Sequence, residues 1–243
     1  MSAPHGRSPL DRYELSAQQH KQIDGLLDVL ERDDRAPTAV RDRARALEVH
    51  IADSLVALDL DLLRDVRDVV DLGAGAGFPG LVLAVALPRA RVHLIESQRR
   101  KCEFIERTTA TAAIGNATVV CARAEEWADG FERNDVALAR ALAAQPVVLE
   151  YAAPLLRVGG ALIDWRGRRD PEEERAAASA AAELGVELRE IRHVVPFAGA
   201  TDRHLHVWQK TAATPPRYPR RAGIARKRPL AAGTIAASDR DRR

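Results

Sequence analysis

The chain has no stretch of 18 or more apolar residues, the length that marks a membrane-crossing helix. Its first residues, MSAPHGRSPLDRYEL, lack a hydrophobic signal core, so neither membrane insertion nor secretion is indicated and a cytoplasmic location is expected. Cysteine is scarce: Cys102 and Cys121 have no metal-ligand spacing, and reduced, buried thiols with no bound metal are the expectation. No internal repeat is apparent. Net charge is also small, a formal +2 over 243 residues, but it is unevenly placed. Residues 217–243 hold nine Arg or Lys against two Asp, a local +7 that leaves the rest near −5. Such a tail is either a solvated terminus or a footprint for phosphate groups. With 46% hydrophobic residues, the remainder suffices for one α/β domain of about 150 to 200 residues with appendages.

The most informative segment is DLGAGAGFPG at 71–80, directly after the apolar pair Val69-Val70. It describes a strand, a glycine turn and a helix that starts near Pro79. Residues without Cβ permit positive φ and let a ligand lie against bare backbone. Gly75, Gly77 and Gly80 also satisfy G-x-G-x-x-G, the dinucleotide fingerprint. Asp71 separates the candidates by charge: a carboxylate repels a pyrophosphate and attracts the sulfonium and ammonium of S-adenosylmethionine, at on the order of 4 kcal/mol for a pair about 4 Å apart before desolvation. The methyl donor is favoured; a dinucleotide and a purely structural turn stay open.

Short apolar runs alternating with amphipathic segments predict βαβ units and a mostly parallel, Rossmann-like sheet of seven strands, at 66–71, 91–96, 117–121, 135–139, 161–165, 187–195 and 204–209. Helices are expected over 10–32, 41–63, 145–156 and 171–184 and after each of the first two strands, with a turn at Gly159-Gly160 and an antiparallel last strand. The chain then divides into a tail and helical cap at 1–64, a core at 65–212 and a Pro/Arg-rich arm at 213–243 whose prolines favour extended geometry.

Ligands of open α/β sheets lie at the carboxyl ends of the strands. There Glu96 suits the two hydroxyls of a ribose, Ala124 and Glu125 suit an adenine edge, and Arg140 suits a donor carboxylate or a guanine O6. The bland readings are helix-terminal acids for Glu125 and Glu126, an ion pair of Arg140 with Asp71 or Glu125, and a buried His50–Asp53 pair.

With 71–80, 123–125, Ala139-Arg140-Ala141, the arm 214–221 and Pro229-Leu230 in this order, the chain resembles the bacterial small-subunit ribosomal RNA methyltransferase G family, also called glucose-inhibited division protein B. The likeness extends upstream to 38–42, His50 and Asp53-Ser54. It implies a Rossmann-like S-adenosylmethionine-dependent enzyme that methylates N7 of one guanosine in 16S ribosomal RNA. It also implies cofactor contacts at Gly73, Phe78, Glu96, Ser97, Gln98, Ala124, Glu125 and Arg140, beside Asp71 and Gly75 of the loop. No catalytic base is expected, because N7 carries a free lone pair and catalysis is positional, with Arg140 a candidate for placing the substrate. The absence of Asn-Pro-Pro-Tyr, Asp-Pro-Pro-Tyr and Pro-Cys segments argues against exocyclic-amine and pyrimidine-carbon methylation. RNA contacts are expected at Arg41, His50, Arg166, Arg217, Arg220, Arg221, Arg226 and Lys227, Arg166 standing where the family commonly has lysine. The expected partner is small-subunit RNA or the 30S particle, with no obligate protein partner. A methyltransferase of a small molecule or protein would ignore RNA, and a non-catalytic RNA-binding module would ignore the donor.

Overall fold

The computed structural model describes residues 8–230; the expected tail at 1–7 and the last part of the basic arm, 231–243, lie outside them. The sheet has seven strands in the order β3-β2-β1-β4-β5-β7-β6. Strands β1 (Asp68–Leu72), β2 (Arg91–Ile95), β3 (Ala117–Val120), β4 (Asn134–Arg140) and β5 (Leu156–Arg166) are parallel neighbours. As expected, the last strand, β7 (His204–Lys210), runs antiparallel, inserted between β5 and β6 (Val186–His193). Strand order reverses between β1 and β4, which opens a crevice at their carboxyl ends.

Both faces of the sheet are covered, so its central strands read as continuous apolar runs. Val69, Leu94, Leu138 and Ile163 pack under α1 (Ala17–Arg32), α4 (Gly80–Ala86), α5 (Arg99–Thr111) and the cap. Val70, Ile95, Ala137, Leu162 and Trp208 pack under α6 (Gln145–Ala152) and α7 (Pro171–Leu184).

Several expectations are corrected. The first helix starts at Ala17, where Ser16 and Gln19 form a reciprocal capping box. The segment 41–63 is not one helix: α2 (Arg43–Ala46) leads into a π-helical turn (Leu47–Ala52), α3 (Asp53–Leu55) and two 3-10 turns (Val56–Asp59, Asp61–Leu63). Helix α6 stops at Ala152, ahead of Pro154. Gly159-Gly160 is not a turn but a distortion inside β5, where the register against β4 shifts. A Cβ at Gly160 would lie 2.8 Å from the Asp135 carbonyl oxygen, so only glycine fits.

The described part of the C-terminal arm is not a free extended segment. Tyr218, Ala225 and Leu230 are buried in the cluster beneath α6 and α7, and the chain forms a short helix α8 (Ile224–Lys227). Residues 231–243 excepted, the expected basic arm is part of the folded domain.

Candidate active site

Three glycines after β1 take left-handed backbone, Gly73 at φ +65°, Gly75 at +62° and Gly77 at +93°, returning the chain so that α4 starts under the strand end. Gly80 closes this turn: its N–H donates to Oδ2 of Asp71 at 2.8 Å, and an added Cβ would stand 2.6 Å from the same oxygen. Asp71 is therefore a clamp between strand and helix. It is 1% exposed and does not line the cleft beside it, which corrects its expected place as the donor's counter-charge. Burial pushes its carboxyl up to about 7, against the lowering influence of the Gly80 hydrogen bond and of Arg140.

The cleft lies over the ends of β1, β2 and β3 and encloses about 710 Å³, the size of a small-ligand site. Gly73, Glu96, Ser97, Gln98, Ala124 and Glu125, six residues expected at a cofactor, all line it. Glu96 is fixed by the backbone: Oε2 accepts the Gly75 N–H at 3.1 Å and Oε1 the Gln98 N–H at 2.8 Å. A carboxylate has about four lone-pair positions, so acceptor capacity remains for two hydroxyls. Gly75 thus acts through Glu96, outside the cleft wall. Glu125 accepts the Gly223 N–H at 2.9 Å, a link between cleft and arm rather than a helix-terminal role alone. Tyr151 and Arg226 complete the far wall, and neither was expected there. Cys121 also lines the cleft and is exposed, correcting the expectation of two buried thiols.

Next to the cleft, Arg140 leaves the end of β4 and turns into the cap. Its Nη1 donates to Asp53 Oδ2 at 2.9 Å and to the Val49 carbonyl at 3.1 Å. Asp53, not Asp71 or Glu125, is its carboxylate partner, and Arg140 does not line the cleft. Arg203, from the loop before β7, brings Nε to 3.3 Å from the other Asp53 oxygen. Trp165 Nε1 donates to the Asp53 carbonyl at 2.8 Å, so one buried residue of the cap ties three strand ends together. The π-helical turn ends where Asp53 begins, its N–H reaching back to the Glu48 carbonyl.

His50 does not pair with Asp53. Its Nδ1 lies 3.4 Å from Nη2 of Arg140, and Nε2 lies 3.1 Å from Thr38 Oγ1. Because a guanidinium only donates, Nδ1 is the acceptor and the proton sits on Nε2. Burial, then the charge of Arg140, lower the imidazole to about 4, so it is neutral at physiological pH. Phe78 stacks on this ring at 4.7 Å and 9° and props His50 from outside the cleft wall.

The expected RNA-facing cations divide into two sets. Arg220 is bidentate to Glu150, Arg217 bonds Glu183 at 2.9 Å, and Arg166 bonds Glu173 and the Ala143 carbonyl. Arg166 and Arg220 are drawn into the fold, which corrects their placement on a free surface, whereas Arg217 stays exposed beside its partner. Arg41 is paired with Asp34, and Arg226 reaches the Leu142 carbonyl at 3.0 Å. Arg221 and Lys227 are exposed.

The sequence between residues 20 and 206 matches the model of the family rRNA small subunit methyltransferase G. The chain belongs to that family. It is 41% identical over 199 residues to ribosomal RNA small subunit methyltransferase G of Rubrobacter xylanophilus, covering 79% of this chain and 76% of that protein. To the protein of that name from Syntrophomonas wolfei it is 42% identical over 186 residues, covering 76% and 86%. Its fold matches a SAM-dependent methyltransferase from Aquifex aeolicus at TM-score 0.53 and 13% identity, over 68% of this chain and 93% of the other. Aeropyrum pernix fibrillarin with bound S-adenosyl-L-methionine matches at TM-score 0.51 and 18% identity, over 65% and 72%. Methyltransferase G membership and the Rossmann-like methyltransferase fold therefore stand together.

Proposed function

We propose that this protein transfers the methyl group of S-adenosylmethionine to N7 of one guanosine in small-subunit ribosomal RNA. The observation that carries the reading is the adjacency, in a chain of this family, of the glycine-floored cleft that holds Glu96 and the Arg140–Asp53–His50 cluster. When bound, S-adenosylmethionine supplies an electrophilic methyl on a sulfonium. The cleft suits it: Glu96 offers acceptors to ribose hydroxyls, Gly73 leaves the floor without a Cβ, and Ala124 leaves room for a flat ring. The charges lining the cleft balance, Glu96, Glu125 and Glu126 against Lys101, Arg123 and Arg226, so the preference for this donor over a dinucleotide rests on family membership and on Glu96 at the ribose position, not on Asp71.

Guanine N7 holds a lone pair and no proton, so the acceptor needs no base. The side chains beside the cleft agree: His50 is neutral with its acceptor nitrogen turned to Arg140, and Asp53 is ion-paired. What they supply is position. Asp53 and the Val49 carbonyl fix one Arg140 nitrogen, and the N–H groups left over are donors available to a guanine O6. Aligning nucleophile and methyl is worth about 7 to 11 kcal/mol in favourable intramolecular cases, enough for a purely positional site.

The substrate is small-subunit RNA, within or on the way to a 30S particle, met in the cytoplasm, with Arg221 and Lys227 among the cations that reach phosphate. None of the described helices is long and apolar enough to cross a membrane. Incubation with tritiated donor and either naked RNA or 30S subunits from a strain lacking this gene tests the reading. Label in 7-methylguanosine at one position supports it. Donor binding with label only in protein or small molecules, or RNA binding without donor binding, selects one of the other two classes.

A further inference from the structure

The two cysteines meet at Glu96. Ile95 of β2 pairs with Val120 of β3, and the Glu96 N–H bonds the Val120 carbonyl at 3.1 Å, so Cys121 follows directly alongside Glu96. Val119 packs with Phe104 and Ile105 of α5 and Val120 packs on the opposite face. Strand alternation therefore turns Cys121 towards α5. Cys102, in the first turn of α5, donates its thiol to the Glu96 carbonyl at 3.1 Å. Both cysteines therefore flank the Glu96 backbone on the side that faces α5, and burial first, then the neighbouring Cys121, holds the Cys102 thiol up at about 12. Cys121 is exposed on the cleft wall and Cys102 is buried behind it.

We propose that Cys102 and Cys121 form a paired dithiol in the wall of the cleft that a peroxide oxidises to an intramolecular disulfide. The exposed Cys121 reacts first. Its thiolate attacks a peroxide oxygen, the O–O bond breaks, and the departing hydroxide takes up the thiol proton as water, leaving a sulfenic acid. Cys102 is the resolving thiol: its sulfur attacks that of Cys121, the S–O bond breaks, and the Cys102 proton leaves with the hydroxyl as a second water. Both thiols are oxidised and one peroxide is reduced to two waters. Because Cys102 is protonated at neutral pH, the second step accelerates with rising pH. Closure also removes the Cys102 bond to the Glu96 carbonyl, at the residue assigned to the ribose. This consequence rests on the reading of the cleft as the donor site, in which a bound ligand covers Cys121.

The full-length protein is treated with hydrogen peroxide, quenched, alkylated under denaturing conditions and mapped by mass spectrometry, with and without S-adenosylhomocysteine. The expected product has lost two hydrogens and yields one Cys102–Cys121 linked peptide. S-adenosylhomocysteine at ten times its dissociation constant slows closure on the order of tenfold. In C102S, Cys121 runs on to sulfinic acid; in C121S, whose substitution is at an exposed position, Cys102 stays reduced. Sulfinic acid at Cys121 in the wild type with Cys102 still alkylated overturns the dithiol, as do disulfides formed only between molecules. If calorimetry detects S-adenosylhomocysteine binding but closure is not slowed, the placement in the donor cleft is overturned. If it does not bind while the linked peptide forms, the donor reading fails and the dithiol stands.

Discussion

Arg220→Ala separates a structural arm from an RNA-binding one. Arg220 meets Glu150 through two bonds, Nε to Oε1 at 2.7 Å and Nη2 to Oε2 at 2.5 Å, and also holds the Arg228 carbonyl at 2.8 Å. The Glu150 side chain is 1% exposed and that of Arg220 24%. Removing one partner of a buried ion pair costs about 3 to 5 kcal/mol, because the other charge is left without compensation. Arg220 reaches solvent in part, so the lower end applies, about 3 kcal/mol. For a chain of this size that lowers Tm by roughly 6 to 12 °C. Thermal and urea unfolding of R220A measure this, with R221A, at an exposed position, expected within about 0.5 kcal/mol of wild type. E150Q combined with R220A recovers much of the loss, since no charge is then stranded. RNA affinity against salt completes the assay: R220A, measured below its Tm, keeps the wild-type slope, whereas R221A loses about one phosphate contact. An R220A protein with unchanged Tm and a slope reduced by one would refute the reasoning and return Arg220 to the RNA surface.

Gly80→Ala drives a methyl against Asp71 and, at 3.0 Å, against Leu94, so a loss of about 1 to 3 kcal/mol in urea unfolding and weakened donor binding by calorimetry are expected. Asp71→Asn keeps an acceptor for Gly80 and removes a buried charge. The folded carboxyl titrates at about 7 instead of 3.8, so the native state binds the extra proton and this group's contribution to stability falls as pH rises between those values. The variant should therefore gain on the wild type across that window, by at most roughly 4 kcal/mol, as read from unfolding at pH 4 and pH 8. Asp53→Asn removes the charge that orients Arg140 and Arg203. A fall of about a hundredfold in kcat with donor affinity kept within about twofold is expected, and a parallel loss of both would place Arg140 on the donor.

The sheet was legible because its strands are short apolar runs bounded by glycine, proline and charge, and the consecutive pair at the end signalled the antiparallel insertion. The bulge at Gly159-Gly160 was not, because a turn and a β5 distortion require the same two residues; only the β4 carbonyls above them decide. The cap read as one helix because its apolar spacing is continuous, while the change to π and 3-10 pitch is set by hydrogen bonds that leave no compositional mark. In the site, Gly73, Glu96 and Ala124-Glu125 were found by their positions after successive strands. Asp71 was placed at the right strand end with the wrong neighbour, since charge complementarity says nothing about which side of the turn a carboxylate faces. The partners of Arg140 and Arg220 are 87 and 70 positions away, beyond the reach of any local pattern. Arg203 carries no motif at all.

Methyl transfer to small subunits from a strain lacking this gene tests the central claim most directly. With tritiated S-adenosylmethionine and nucleoside mapping, label is predicted in one 7-methylguanosine of the small-subunit RNA, lost in D53N while donor binding persists. Saturable donor binding with no label in that RNA, or label in a different nucleoside, would contradict the account.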